Sequence, residues 1–404
     1  MEPGVSARTN WLKDRTSSAS RGDATEHKDR YWLHLLLFFV TLLTTVYEGG
    51  NLAGRWAIYG EYGVMQFVLD GLRFGLSLLF FLTVHEFGHY FAARAHGVST
   101  SLPYFIPLPF VGVGTLGAVI RIREPVPSLR KLFDIGAAGP LAGFVVALGI
   151  LLYAFATLPP PSYIFGLGGG HEAIQHYVEQ FGEYPTQMLE SGEGAVTLVV
   201  GDTLLYWILK QFFAGVPPMW EMYHYPMLFA GWLGLFFTAL NLLPVGQLDG
   251  GHIIYALFGR KWHGRLARGF FLVLLLSGAI GFVIEAVPML YEASPLAGDT
   301  SWFLLAAVLY FYLTKLFDGS LKQIVPALLA LMVLVVVANS GATWMQEYAY
   351  SGWLLWCLLL IYLVKIDHPP VLHERPLTRE RKVLAVLAII VFILCFSFKP
   401  LYVV

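Results

Sequence analysis

The chain has 404 residues, of which 57% are hydrophobic and only 13% carry a charge. A soluble domain of this length carries nearly twice that share of charge, so the composition excludes an ordinary soluble protein and predicts a polytopic membrane protein. The formal net charge of −1 gives no sign of a nucleic-acid partner, and the two cysteines, Cys357 and Cys395, lie in apolar runs where packing is their expected role.

The first 31 residues are polar and lack the apolar core of a signal peptide. Their acidic residues also differ from the acid-poor composition of transit peptides. We therefore expect residues 1–31 to form a polar, disordered tail ahead of the first apolar run.

Nine apolar runs follow, and each is a candidate transmembrane helix. Their approximate ranges are 32–48, 71–93, 133–156, 226–245, 268–288, 302–317, 324–340, 351–366 and 383–399, of which the sixth and eighth are short for a full span. With a cytoplasmic N-terminus, nine spans leave only four of the 26 Lys and Arg residues outside: Arg55, Arg73, Lys210 and Lys399. This asymmetry follows the positive-inside rule, so we predict an all-α polytopic fold of about nine transmembrane helices.

The second run carries ionisable residues at membrane depth, in His85-Glu86-Phe87-Gly88-His89. Residues four apart share one face of a helix, so His85 and His89 can bind one metal ion with Glu86 beside it. Such groups are costly in a bilayer and therefore mark candidate functional sites. The pattern fits a zinc hydrolase whose active site lies inside the membrane. The alternative is a buried network of His and Glu hydrogen bonds.

Residues 103–122 are too apolar for a solvated loop and too rich in Gly and Pro for a helix. Non-helical backbone at membrane depth is stable only against protein or a water-filled cavity. We therefore predict a re-entrant β-hairpin near the active site. Its segment from Gly112 to Gly117 formally reads GxGxxG, but no βαβ pattern follows that would support a dinucleotide site.

Residues 158–225 form a long connection on the predicted outer side, where acidic residues outnumber the single basic residue Lys210. We expect this segment to cap the outer face, with an amphipathic surface helix at 203–213. It contains His171-Glu172 and His176, but histidines five positions apart on a helix are turned by about 140° from each other. We therefore expect these histidines to be solvated.

A catalytic zinc site needs a third protein ligand and keeps one position for water. The fourth apolar run breaks at Pro244 and leads into Gln247-Leu248-Asp249-Gly250-Gly251, on the same predicted membrane side as His85 and His89. Asp249 is therefore the candidate third ligand. The alternative is that its carboxylate caps the N-terminus of a helix.

Taken in order, these motifs resemble the site-2 protease family of intramembrane zinc metalloproteases, peptidase family M50. The resemblance rests on His85-Glu86-x-x-His89, on Gly139-Pro140-Leu141-Ala142-Gly143 and on Asn241-x-x-Pro244-x-x-x-Leu248-Asp249-Gly250. It is strongest over about residues 71–260, and the surrounding sequence is most similar to the bacterial and plastid branch that includes the EGY-type proteases.

The resemblance implies one Zn²⁺ per chain, held by His85, His89 and Asp249, with Glu86 as the catalytic base. It also implies that Asn241 binds substrate or stabilises the oxyanion. The expected reaction is hydrolysis of peptide bonds in or near transmembrane segments of membrane-anchored protein substrates. Alternatives are a transporter with a buried metal or proton site, a membrane zinc hydrolase that is not a protease, and an inactive scaffold.

We expect three parts in the chain: a tail at 1–31, a protease core at 32–260 that includes the cap segment 158–225, and C-terminal transmembrane helices at 261–404. The expected location is the cytoplasmic membrane of a bacterium, with the N-terminus in the cytoplasm. The expected contacts are the lipid bilayer and the protein substrates, without nucleic acid. The sequence leaves the oligomeric state open.

Overall fold

The computed structural model describes residues 30–189 and 197–403, so nearly all of the predicted tail and a short part of the cap segment lie outside it. The described residues are mostly helical. They also contain two small antiparallel sheets, of which only the first was expected.

The first half of the chain forms the helices and the hairpin that surround the candidate site. In chain order these elements are α1 (Tyr31–Ala53), α2 (Trp56–Tyr62), α3 (Val64–Ala95), β1 (Tyr104–Pro107), β2 (Thr115–Val119) and α4 (Leu129–Ala156). The cap segment then contributes a 3-10 turn (Pro161–Gly166), α5 (Glu172–Phe181), β3 (Leu198–Val200), α6 (Leu204–Lys210) and a second 3-10 turn (Met222–His224).

The second half is a series of helices that ends in a short strand. Its elements are α7 (Pro226–Asn241), α8 (Asp249–Glu285), α9 (Val287–Ala293), α10 (Pro295–Leu316), α11 (Leu321–Asn339), α12 (Thr343–Glu347), α13 (Gly352–Leu359) with a π-helical turn (Leu360–Val364), α14 (Arg379–Cys395) and β4 (Leu401–Val403).

Six helices among the described residues are long and apolar enough to cross a membrane, which indicates a multi-pass membrane protein. They are Tyr31–Ala53, Val64–Ala95, Leu129–Ala156, Asp249–Ala293, Pro295–Leu316 and Leu321–Asn339. All nine predicted apolar runs lie on helices, but the fourth, eighth and ninth form shorter ones. The helix α7 has only 16 residues, because Pro244 closely follows its end at Asn241 and cannot continue a helix.

The helix α8 begins earlier than predicted, at Asp249, and bends at Gly259. Gly259 has a φ of 76°, a left-handed conformation that residues with a side chain rarely adopt. The fifth apolar run is therefore the second part of a longer, kinked helix whose first turn carries the candidate ligand Asp249.

One apolar core extends from α3 through the C-terminal helices. The helix α3 packs against α1, α4 and α7, and α4 also packs against α8. Large side chains fill these contacts, and Phe81, Phe133, Trp232 and Phe271 are fully buried. This arrangement places α3 at the centre of the bundle.

The predicted hairpin is present as β1 and β2, which pair antiparallel with Tyr104 opposite Val119 and Phe105 opposite Ala118. Its loop is fixed to α1, because the Thr44 hydroxyl donates a hydrogen bond of 2.7 Å to the Gly114 carbonyl. The hairpin is therefore held beside the bundle by α1.

The cap segment has a small apolar cluster of its own, formed by Ile164, Leu167, Ile174 and Val178. The predicted amphipathic helix is present but shorter than expected, as α6. The unexpected second sheet pairs β3 with β4, so the cap is joined to the C-terminal end of the described chain.

A buried carboxylate fixes the start of α3. Asp70 is fully buried, and its oxygens accept hydrogen bonds from Tyr59 at 3.0 Å, Gln66 at 3.2 Å and Arg73 at 3.0 Å. Arg55 also lies 3.4 Å from this carboxylate. The contacts join the α1–α2 connection to the end of α3 that is remote from His85.

We predict that Asp70→Ala lowers the free energy of unfolding by about 3 kcal/mol, because it leaves Arg55 and its neighbours without their buried counter-charge. Reversible unfolding in detergent micelles measures the change. The control is Glu61→Ala in α2, an exposed acid close in sequence, for which we expect almost no change. Equal effects of the two substitutions would contradict this role of Asp70.

Candidate metal centre

The helix α3 presents His85, Glu86 and His89 inside the bundle, and all three side chains are buried. The Nε2 atoms of His85 and His89 lie 3.2 Å apart. One helical turn takes 3.6 residues, so side chains four positions apart lie on the same face and the two imidazoles meet at one point.

Asp249 completes this group from α8. Its Oδ2 atom lies 3.2 Å from Nε2 of His89 and 3.7 Å from Nε2 of His85. Asp249 is the first residue of α8, but Leu248 occupies the N-cap position and the Asp249 side chain faces the histidines. Of the two interpretations of Asp249, the geometry therefore favours the ligand over the helix cap.

A backbone carbonyl orients His89. The Nδ1 atom of its ring lies 2.7 Å from the Ile135 carbonyl oxygen on α4, which can only accept a hydrogen bond. Nδ1 therefore carries a proton, and in the neutral ring the lone pair of Nε2 faces Asp249 and His85. This is the usual support of a metal-binding histidine, whose second nitrogen donates to a carbonyl or carboxylate.

The glycines of α4 make room for the two imidazoles. A Cβ atom at Gly139 would overlap the His89 ring, and one at Gly143 would lie 3.0 Å from Nδ1 of His85. The Gly-Pro motif therefore packs directly against the imidazoles of His85 and His89. Gly149, further along the same helix, has no atom near its Cβ position.

Two more groups reach the centre from other elements. The Ile120 backbone, just after β2, forms a hydrogen bond with the Glu86 carboxylate, so the hairpin holds Glu86 in place. The Asn241 side chain, at the last residue of α7, brings its Nδ2 atom to 3.3 Å from Nε2 of His85. All five residues predicted from the sequence thus lie at one place.

The donor set fits a divalent metal ion. The two imidazole nitrogens and the carboxylate oxygen lie within 4.8 Å of one another and come from buried or half-buried residues. Two histidines and one carboxylate, with a position left for water, are typical ligands of catalytic zinc.

The sequence model of Peptidase family M50 matches residues 73–282, about half of the chain, and this range includes most of α3, the hairpin, α4, α7 and most of α8. The chain belongs to peptidase family M50. All the residues of the candidate metal centre fall inside the M50 match.

Curated proteins similar to this M50 chain carry the name EGY. The chain is 30% identical over 235 residues to the probable zinc metalloprotease EGY2, chloroplastic, of Arabidopsis thaliana, which covers 58% of this chain and 37% of that protein. It is 32% identical over 195 residues to the probable zinc metalloprotease EGY1, chloroplastic, of the same plant, with 48% and 31% covered. The match thus spans about a third of these relatives. No solved structure matches the chain.

Sequence reasoning missed the two backbone contacts of this M50 centre, from Ile135 to His89 and from Ile120 to Glu86. Every residue type offers the same carbonyl and amide, so no side-chain pattern marks these positions. It also missed the partner of His252, whose Nδ1 lies 2.8 Å from Nε2 of His368. Those two histidines are 116 positions apart, which hides the pair from local patterns.

We predict that Gly139→Ala weakens divalent-metal binding by about 10-fold or more, because the added methyl group displaces the His89 ring. Metal titration of the purified protein, with metal content by mass spectrometry, measures this loss. Gly149→Ala on the same helix is the matched control and should bind as the wild type does. Unchanged affinity in Gly139→Ala would contradict the proposed packing of His89.

Proposed function

We propose that this M50 protein is an intramembrane zinc metalloendopeptidase. It hydrolyses peptide bonds in or near transmembrane segments of membrane-anchored proteins. The observation that carries the proposal is the convergence of His85, His89 and Asp249 at one buried point, with Glu86 beside them. The EGY relatives are named as probable zinc metalloproteases or metallopeptidases, and these names support the same activity.

In this proposal His85, His89 and Asp249 hold one Zn²⁺ at the centre. When bound there, zinc supplies Lewis-acid chemistry, which polarises the scissile carbonyl and acidifies a water molecule. In the neutral His89 ring the Ile135 carbonyl holds the proton on Nδ1, so Nε2 is the nitrogen that would bind the metal. Asp249 contributes the negative charge that partly offsets the charge of the cation.

Glu86 acts as the general base and acid. It takes a proton from the attacking water and returns that proton to the leaving amine. The hydrogen bond with the Ile120 backbone holds the carboxylate in position for both transfers. The amide of Asn241 donates to the oxyanion that develops on the scissile carbonyl.

The hairpin binds the substrate as an added strand. A transmembrane helix hides its carbonyl groups in its own hydrogen bonds, so it must unwind before hydrolysis, and an exposed strand edge can hold the unwound segment. Val119 pairs with Tyr104, and the Arg121 carbonyl accepts from the Ser101 amide, so these residues face β1. The backbone N–H and C=O groups of successive residues point to alternate edges of a strand, so those of Ala118 and Ile120 point away from β1, to the opposite edge. That is the edge at which Ile120 meets Glu86.

The membrane arrangement belongs to the same proposal. The chain crosses the membrane nine times, with α7, α13 and α14 as the short spans, and the hairpin is re-entrant. The N-terminal side is cytoplasmic, because the predicted positive-inside asymmetry requires this orientation. The membrane is the bacterial cytoplasmic membrane, although the relatives above bear chloroplastic names.

The three-part division also remains our proposal, with a tail at 1–31, a protease core at 32–260 that includes the cap, and C-terminal helices at 261–404.

A cavity of about 640 Å³ lies between the C-terminal part and residues 122–126, which follow the hairpin. Gln247 and His252, which flank Asp249 in sequence, also line this cavity. It is the route by which water and the substrate segment approach the centre from the cytoplasmic side.

We predict that Glu86→Gln lowers the cleavage rate of a model transmembrane substrate by a factor of about 10²–10⁴ while zinc stays bound. Asp249→Asn should instead lose the zinc of this centre together with activity, and wild-type protein treated with a chelator should also lose activity. The assay uses purified protein and follows the cleavage products and the zinc content.

The control for charge removal is Glu172→Gln on the exposed start of α5, which should cleave as the wild type does. Cleavage that persists in Glu86→Gln would eliminate the proposed mechanism. Zinc binding without any cleavage, in wild type and variants alike, would favour a transporter, an inactive scaffold or a hydrolase of another substrate.

We predict that a cysteine in place of Leu116 on β2 cross-links to a substrate cysteine near the scissile bond. Cross-linking should be strong at every second substrate position, because side chains alternate along a strand. The experiment uses a Glu86→Gln background with Cys357→Ala and Cys395→Ala, and it maps disulfides in membranes.

The matched control is Val145→Cys on α4, whose exposed fraction of 66% is close to the 64% of Leu116. It should cross-link weakly and without alternation. A uniform yield at Leu116→Cys along the substrate would rule out strand addition and leave the hairpin as a plug of the cavity.

A further inference from the structure

A second group of ligand-type side chains lies at the other end of the bundle, and we call His171, Glu221 and His224 the outer cluster. His171 directly precedes α5, Glu221 precedes the second 3-10 turn, and His224 ends that turn. Their three potential ligand atoms lie within 4.8 Å of one another. The five-residue spacing of His171 and His176 predicts a solvated His171, but His171 is half-buried in this cluster.

The distances in the outer cluster match a metal site. The Nε2 atoms of His171 and His224 lie 3.0 Å apart, and Oε2 of Glu221 lies 3.4 Å from His171 Nε2 and 3.9 Å from His224 Nε2. Ligand atoms bound at about 2.0–2.1 Å in a tetrahedral zinc site are separated by about 3.3 Å. The three atoms therefore already stand near the corners of such a site.

Both imidazoles are oriented by backbone carbonyls. Nδ1 of His171 donates to the Gly168 carbonyl at 3.0 Å, and Nδ1 of His224 donates to the Leu52 carbonyl at 2.8 Å. Each Nδ1 therefore carries a proton, and in the neutral rings the two Nε2 lone pairs face each other. Two facing lone pairs repel, so this arrangement calls for a cation between them.

The carboxylate of Glu221 also calls for a nearby cation. Its side chain is only 6% exposed, and Oε2 has no hydrogen-bond partner among the described residues. A divalent cation would give this buried carboxylate the positive partner that a charge inside a protein needs.

We propose that His171, Glu221 and His224 bind a second divalent cation of the zinc type. All three ligands belong to the cap segment, so the ion joins the start of α5 to the turn that leads into α7. The Leu52 carbonyl of α1, which orients His224, connects this site to the membrane bundle. Two imidazoles and one carboxylate are a donor set that suits zinc better than calcium or magnesium.

This outer cluster is separate from the candidate metal centre. His224 lies just before α7, whereas Asn241, which contacts His85, ends that helix. A helix of 16 residues is about 24 Å long, so the two ions would be held at opposite ends of α7. The proposal therefore does not depend on the proteolytic function.

The test counts zinc per chain in the full-length protein purified in detergent, after dialysis against micromolar zinc. We expect two ions in the wild type, one in His85→Ala/His89→Ala and one in Glu221→Gln. The matched control is His176→Ala in α5, whose side chain is 79% exposed and which should keep two ions. A single ion in the wild type that persists in Glu221→Gln and is lost from His85→Ala/His89→Ala would overturn the proposal.

A second measurement separates ligand loss from misfolding. In the His85→Ala/His89→Ala chain, added Co²⁺ should give the absorption bands of a tetrahedral ion, and zinc should raise the thermal unfolding midpoint. Adding His171→Ala or Glu221→Gln to that chain should weaken Co²⁺ binding by more than about 10-fold while the helical content is kept. Unchanged Co²⁺ affinity in both variants would also overturn the proposal. Normal zinc counts without substrate cleavage would instead reject only the proteolytic function.

Discussion

The carboxylate of Asp249 meets the imidazoles of His85 and His89 inside an apolar bundle, and much of the local structure serves this contact. A buried charge is stable only when it is paired or coordinates a metal. The chain must therefore bring the start of α8 against the middle of α3. The helix α7 ends at Asn241, shortly before Pro244, and α8 then begins at Asp249 itself.

Around that contact, small residues and backbone groups matter as much as the ligands. The absence of a side chain at Gly139 leaves space for the His89 ring, while the Ile135 carbonyl from the same helix orients it. The hairpin supplies the Ile120 backbone to Glu86. Because α1 holds the hairpin through Thr44 and Gly114, the position of the proposed base depends on an element far from it in sequence.

The helix α7 lies between the candidate metal centre and the outer cluster. Its last residue, Asn241, lies at the candidate metal centre, and the 3-10 turn shortly before its first residue ends at His224 of the outer cluster. A short, buried helix is a stiff connection, since its backbone hydrogen bonds are satisfied internally and its apolar face is packed.

The sequence by itself determined the helical membrane class, the place of the hairpin and the five residues gathered at the candidate centre. These features are local: apolar runs, a four-residue histidine spacing, and a break at Pro244 followed by Asp249. Only the tertiary structure decided the backbone partners of His89 and Glu86 and the outer cluster. Backbone groups are the same in every residue, and His171 and His224 are 53 positions apart, so no local pattern could reveal them.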